Sequence, residues 1–250
     1  MEGGVVVLAD RLYKISVFGE FDSIQPDPDT ILVFMEYFGS KGFVPSLYIE
    51  VIASPNAAMQ KQRIALVTNN GGRKISIGSN RIDIEFIQTV DIAFSKEERD
   101  SFNSFASDAI DFIFSRFSKA SNRLAINTES LLVDLTEEQI NSFSRRFTTP
   151  ISMYTEVPLK EWSIRLVTKK QENVNEKTEQ FNVITAIKKT VLQKTKDDQP
   201  VITDGFSISG DLNTAGENQG YRFNGHDLSC FLMIVNAWLD SILKDLGDGM

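Results

Sequence analysis

The chain has 250 residues, of which 34 are acidic and 26 are basic, so its formal net charge is -8. That length allows one large domain or two smaller ones. The acidic balance argues against a module that binds phosphate backbones by charge alone. One cysteine, Cys230, excludes an intrachain disulfide. Met1 to Gly4 carries no basic segment and no apolar run approaches membrane-spanning length, so we expect a cytoplasmic protein without a membrane partner.

The first half of the chain predicts a strand, a short helix and then several strands. Val5 to Phe21 is rich in β-branched and aromatic residues and alternates with a period of about two. Asp27 or Asp29 can cap a short, mostly buried helix over Thr30 to Ser40. A meander follows, with its clearest turn at Asn69-Asn70-Gly71-Gly72. Its predicted strands are Phe43 to Ile52, Arg63 to Thr68, Lys74 to Ile77 and Arg81 to Ile87.

A long amphipathic helix closes this half. Ser95 and Glu98 have the spacing of a capping box, which marks the start of a helix. Apolar residues at helical spacing then form one stripe that needs a sheet to pack against. The stripe consists of Phe102, Phe105, Ala106, Ala109, Ile110, Ile113, Phe114 and Phe117.

The second half repeats the order of elements. A strand over Arg123 to Asp134 leads to a second capping box, Thr136 to Gln139, and a helix that runs to about Phe147. Three further strands and a final amphipathic helix around Leu228 to Leu246 complete the chain. The three strands are predicted over Val157 to Thr168, Phe181 to Leu192 and Val201 to Leu212.

The order of elements predicts an α+β fold made of two β-α-β-β-β-α units, residues 1–119 and 120–250. Each unit would form an antiparallel sheet backed by one long amphipathic helix. The two sheets could fuse into one pseudo-symmetric curved sheet, or remain as two domains that meet near Phe117 to Arg123. The repeat lies in the pattern of elements, since the two halves show no obvious identity of residues.

Three segments resemble a sporadically distributed bacterial family of uncharacterised proteins of similar length. They are the helix-to-strand passage Ser118 to Asp134, the strand Ser207 to Leu212 before a terminal helix, and the hairpin Arg73 to Phe86. The family often has a histidine in its last helix, where this chain has Asn236-Ala237-Trp238. Its patchy distribution is similar to that of genes in mobile or defence-linked neighbourhoods. The resemblance implies an accessory component of a bacterial system and carries no assigned activity.

The element order also resembles the TATA-box-binding-protein-like arrangement, which is built from two strand-helix-strands-helix units. The resemblance implies a similar architecture. It implies no function, because one fold hosts many functions and this chain is acidic.

The sequence shows no recognisable arrangement of catalytic residues, so we predict no catalytic residue, no cofactor and no metal. His226 and Cys230 are four residues apart on one predicted helix and could form a dyad. The simpler interpretation is a histidine at a helix start beside an inert cysteine, since nothing basic lies nearby. Asp22, Asp27 and Asp29 lack the spacing of a calcium loop and fit turn and capping roles. Asp83 and Glu85 alternate with apolar residues, as on a solvated strand face.

Six basic residues are the candidate partner-binding positions: Arg73, Lys74, Lys169, Lys170, Lys188 and Lys189. The first two follow a predicted hairpin tip, and the other four are predicted at the ends of neighbouring strands. They could bind an acidic partner, or they could simply be solvated hairpin tips.

Three hypotheses for function remain. The leading one is a non-enzymatic binding or regulatory protein that acts through protein–protein contacts. The second is a small-ligand sensor or enzyme with an apolar pocket between sheet and helices. The third is nucleic-acid binding across the sheet face, which the net charge disfavours. The oligomeric state stays open, and a homodimer is one of the options.

Overall fold

The computed structural model describes residues 7–52, 58–87, 94–148, 159–196 and 199–247. Within them the chain forms nine strands and four α-helices. The strands are β1 (Val7–Gly19), β2 (Phe43–Ile52), β3 (Met59–Thr68), β4 (Arg73–Ile77), β5 (Arg81–Ile87), β6 (Ser121–Val133), β7 (Trp162–Val174), β8 (Lys177–Lys196) and β9 (Gln199–Thr214). The helices are α1 (Pro28–Phe38), α2 (Lys96–Phe117), α3 (Glu137–Phe147) and α4 (Gly225–Gly247).

All nine strands belong to one antiparallel sheet in the order β2-β3-β4-β5-β1-β6-β9-β8-β7. The α+β class is therefore confirmed. The first strand of each half, β1 and β6, pair with each other in the centre, with Ile15 opposite Ile126. The strands of both halves thus form one sheet, whose edges are β2 and β7.

The helix starts follow the predicted capping residues. Asp27 accepts the backbone N–H of Thr30 at 2.9 Å and begins α1. Reciprocal capping boxes at Ser95 and Thr136 begin α2 and α3. These caps satisfy backbone donors that have no partner inside the first turn.

The strands of the second half are longer than predicted. The sequence prediction ended this strand at Thr168, but β7 continues to Val174 and turns through Asn175 directly into β8. The polar composition misled the prediction, because cross-strand pairing with β8 holds Lys169 to Asn173 in the sheet although their side chains are exposed.

The four helices cover one face of the sheet, and the main core lies between them and the strands. Ile15 and Ile84 of the sheet share one buried apolar cluster with Phe102 of α2 and Phe231 of α4. Rings fill much of the space, as in the stacked pair Phe181 and Phe231. α3 packs on a smaller cluster around Phe143 and Phe206. None of the described helices is long and apolar enough to cross a membrane.

Candidate binding face

None of the described helices lies on the opposite face of the sheet, and we call it the open face. Successive side chains of a strand alternate between faces, and residues paired in register share a face. Ile15 points to the helices, so Lys14 and Ser16 belong to the open face together with their partners on β5 and β6. By the same rule the open face carries nine cations and five carboxylates among the side chains that the structure describes. The cations are Lys14, Lys61, Arg63, Lys74, Arg81, Arg123, Arg165, Lys169 and Lys188, and the carboxylates are Glu50, Asp83, Glu85, Glu129 and Asp211.

The centre of the open face is a network of paired charges. Lys14 Nζ lies 3.0 Å from Asp83 and 3.1 Å from Glu85. Arg81 contacts the same Asp83 carboxylate at 2.9 Å, and Ser16 donates to it at 2.6 Å. Asp83 and Ser16 are buried by their neighbours although no helix covers them. These groups satisfy one another, so the centre offers few free charges to a partner.

The β7–β8 side of the open face carries cations without such partners. We call Arg165, Lys169 and Lys188 the basic strip. Arg165 and Lys188 form no ion pair with any residue that the structure describes, and Lys169 approaches Glu217 only to 3.8 Å. All three side chains are exposed, as is Val167 between them on β7. Arg165 and Lys169 are four residues apart, about 13 Å along the strand.

The six predicted basic residues are divided between the two faces. Lys74, Lys169 and Lys188 lie on the open face. Arg73 is on the helix side, with its guanidinium 5.6 Å from the centre of the Phe86 ring. Lys170 lies 4.7 Å from the centre of the Trp238 ring of α4.

The sixth, Lys189, is buried on the helix side. Its ammonium donates to the Leu159 carbonyl at 2.9 Å and lies 3.2 Å from Asp204. The antiparallel register also separates the two lysine pairs, since Lys188 is opposite Ser163 whereas Lys169 is opposite Asn182. The structure therefore does not bring these four lysines together in one patch.

Sequence reasoning missed Arg165, although a signal was present. Arg165 and Lys169 are four positions apart in one strand, and residues at an even offset share a face. The prediction ended this strand at Thr168, which left Lys169 in a linker and hid the relationship. Extending the strand to Val174 reveals it.

A second charged cluster lies where β2 and β3 extend past β4. The Arg63 side chain is fully buried, and its Nε donates to Glu50 at 2.9 Å. The same guanidinium binds Asp22 and the Ser79 hydroxyl. Hydrogen bonds from Lys61 and Arg63 lower the pKa of Asp22 to about 2. All members are engaged with one another, which marks the cluster as a structural clamp.

A hollow of about 330 Å³ lies between α2, α4 and the central strands. Most of its polar side chains already bind other protein groups. Asp10 accepts hydrogen bonds from the Ser130 hydroxyl and from the backbone N–H of Phe94. Arg99 forms a bidentate ion pair with Asp240. Only the Arg99 Nε is buried there without a partner. The hollow is at the lower limit of the size of ligand sites.

His226 and Cys230 lie in the first turns of α4, where the neighbouring groups have structural roles. Cys230 Sγ accepts the backbone N–H of Asn175 at 3.3 Å. Asp227 is buried and binds Lys177 and Asn175. Burial opposes ionisation of Asp227, but these hydrogen bonds outweigh it and lower its pKa. Within the described residues no three His, Cys, Asp or Glu side chains gather as a metal site would require.

No protein-family model, curated protein or solved structure matches the chain. The two resemblances drawn from the sequence therefore stay predictions.

Proposed function

We propose that the protein is a non-enzymatic binding protein that holds an acidic polypeptide segment on the open face of its sheet. The observation that carries the proposal is the basic strip, three exposed cations on a face of an acidic chain that no described helix covers. Arg165 and Lys188 form no ion pair with a described residue, and the contact of Lys169 with Glu217 is long and exposed. These cations are therefore available to carboxylates of another molecule, whereas the paired charges in the centre are not.

The distribution of charge over the chain supports the same proposal. The chain carries -8, yet cations outnumber carboxylates nine to five on the described part of the open face. The acidic excess therefore lies elsewhere, for instance on α2 with Glu97, Glu98 and Asp100. A partner with acidic side chains would be attracted to one face and repelled from the other, which orients the encounter.

A polypeptide suits this face better than a nucleic acid. Asp83, Glu85, Glu129 and Asp211 lie on β5, β6 and β9, which a nucleic acid would have to cross. A phosphate backbone makes many contacts along its length and would meet these carboxylates. A short acidic segment can run beside β7 and β8 and avoid them.

We also infer that the two halves of the chain are repeats of one unit, as the TATA-box-binding-protein-like resemblance implies. In each half the first strand is central, the last strand lies next to it and the others follow outward: β1-β5-β4-β3-β2 and β6-β9-β8-β7. This mirrored order supports a duplication in which the second unit has one strand fewer. A duplicated scaffold with an exposed basic strip agrees with an accessory protein whose task is binding.

The test measures binding of a fluorescent poly-glutamate peptide and of a DNA duplex to the wild type and to two triple variants. In Arg165→Glu/Lys169→Glu/Lys188→Glu the basic strip is reversed. In Lys96→Glu/Arg116→Glu/Lys244→Glu the same charge change is placed on exposed helix positions. We expect the peptide to bind the wild type and the helix variant alike, and the strip variant at least about 10-fold more weakly.

Two outcomes would overturn the proposal. Equal weakening in both variants would mean that only net charge matters and not the strip. Tighter binding of the duplex than of the peptide, with a steep dependence on salt, would favour the nucleic-acid alternative.

A further inference from the structure

The edge strand β2 presents an unusual amount of apolar surface to solvent. Leu47, Ile49 and Val51 are 48%, 55% and 63% exposed, and they share one face of the strand. No described strand pairs with the outer side of β2. A long apolar edge with free backbone groups is a template for pairing with another strand, and proteins normally block such edges.

The outer half of β2 belongs to a ribbon that projects beyond the sheet. β3 pairs with β2 over its whole length, but with β4 only from Ile64 to Val67. No described strand therefore flanks either side of the part of the ribbon that contains Ile49 and Val51. The Arg63 clamp joins this ribbon to Asp22 and Ser79, so the ribbon is held in place and its edge is already formed.

The opposite edge of the sheet is protected in the usual way. β7 exposes Arg165, Lys169 and Lys170, and cations on an edge strand prevent pairing of two copies by repulsion. Apart from the phenol of Tyr48, the only ionisable side chain in β2 is Glu50. The Glu50 carboxylate already forms an ion pair with Arg63. The two edges therefore favour different neighbouring strands. Of the two, only β2 can pair with β2 of a second copy without charge repulsion.

The backbone of β2 shows which residues can form the new ladder. Pro45 has no N–H, and within a sheet proline occurs where that group would point outward from an edge. Backbone orientation alternates along an antiparallel strand, so Leu47, Ile49 and Val51 also direct their N–H and C=O groups outward. The residues with free backbone groups are thus the residues with the exposed apolar side chains.

We propose that β2 pairs antiparallel with β2 of a second copy, about a two-fold axis at Ile49, and joins two nine-stranded sheets into one. In this register Ile49 is opposite Ile49 of the other copy, and Leu47 is opposite Val51. A two-fold contact of this kind is self-complementary and closes at the dimer. It is independent of what the open face binds, and it leaves the basic strip at the far edge of each copy.

The experiment measures the mass of the full chain by sedimentation over a concentration series. We expect the wild type to have the mass of two chains. Ile49→Lys puts two ammonium groups opposite each other at the axis and should raise the dimer dissociation constant at least about 100-fold. Val167→Lys, an equally exposed aliphatic on β7, is the matched control and should remain a dimer.

A cross-link tests the register. Paired Cα atoms that exchange hydrogen bonds lie about 5.5 Å apart, within the range of a disulfide. In a Cys230→Ser background, Ile49→Cys should form a disulfide-linked dimer under mild oxidation, and Val167→Cys should not. A dimer that forms no Ile49→Cys cross-link would overturn the register.

Other results would overturn the pairing itself. A monomeric wild type would mean that β2 is free or reserved for a strand of another protein. An Ile49→Lys variant that stays dimeric while its circular dichroism is unchanged would place the contact elsewhere. Assemblies that grow beyond two chains would indicate head-to-tail pairing of β2 with β7 in place of a two-fold.

Discussion

Lys188 and Lys189 are neighbours in the chain, but their ammonium groups are on opposite faces of the sheet. Lys188 is exposed on the open face, opposite Ser163 of β7. Lys189 is buried on the helix side, 2.9 Å from the Leu159 carbonyl and 3.2 Å from Asp204. Two residues that are indistinguishable by composition therefore have different tasks. One belongs to the basic strip and the other supports the fold.

Substituting Lys188 and Lys189 one at a time distinguishes the role in binding from the role in stability. Lys189→Met should lower the free energy of unfolding by about 1 kcal/mol, because the Leu159 carbonyl loses its donor. Lys188→Met should leave stability within about 0.5 kcal/mol. Urea unfolding measures both. In the poly-glutamate assay the order should reverse, with Lys188→Met binding more weakly and Lys189→Met binding as the wild type does. Equal peptide affinities would remove Lys188 from the strip.

Local signals predicted the elements well, whereas register and face could not be read without long-range pairing. Ser95 with Glu98 and Thr136 with Gln139 form their capping boxes within four residues, so sequence suffices. The pairing of Ile15 with Ile126 joins residues more than 100 positions apart, and nothing local specifies it. The union of both halves in one sheet depends on that pairing.

The candidate site follows the same rule. Once the strand is extended to Val174, the alternation of side chains places Lys169 on the same face as Arg165 and Lys170 on the opposite face. No pattern near Arg63 indicates that its side chain is fully buried, since its partners Glu50 and Asp22 come from two distant segments. Burial of that arginine is a property of the assembled edge.

The Arg63 clamp should contribute strongly to stability. Arg63→Met leaves the Glu50 carboxylate, which is largely shielded from solvent, without its cation, and we expect a loss of about 3 kcal/mol in the free energy of unfolding. Lys61→Met is the matched control. Lys61 binds the same Asp22 but is about one third exposed, so its loss should be below about 1 kcal/mol. Equal losses in urea unfolding would show that the clamp is merely a surface ion pair.

The same clamp makes stability depend on pH on the acid side. Hydrogen bonds from Lys61 and Arg63 lower the pKa of folded Asp22 to about 2, below the value of about 3.9 in an unfolded chain. A carboxyl group whose pKa is lower in the folded than in the unfolded chain stabilises the fold at pH values above its unfolded pKa. This contribution is lost as the pH falls from about 4 to about 2.

Asp22→Asn should therefore unfold at a lower urea concentration than the wild type at neutral pH, and the difference should shrink on acidification. Glu36→Gln on α1 is the control, since Glu36 is exposed and pairs with no described residue. A difference between Asp22→Asn and wild type that stays constant down to about pH 2 would contradict the assignment.

α4 lies close to the sheet at Gly210 of β9. A Cβ at this position would lie 2.9 Å from Leu239 Cδ2 of α4 and 2.7 Å from Thr128 Oγ1, closer than side chains tolerate. Gly210→Ala should push α4 away from the central strands and lower the free energy of unfolding by about 2 kcal/mol.

Gly39, just after α1, is the matched control. It has helical backbone angles and no atom within 4 Å of an added Cβ. Gly39→Ala should raise stability by about 0.5 kcal/mol, because alanine restricts the unfolded chain. The two substitutions add the same methyl group, so a difference in sign under thermal or urea unfolding isolates the contact with α4. A Gly210→Ala protein as stable as the wild type would mean that Leu239 can repack, and that α4 is not held at this distance by the glycine.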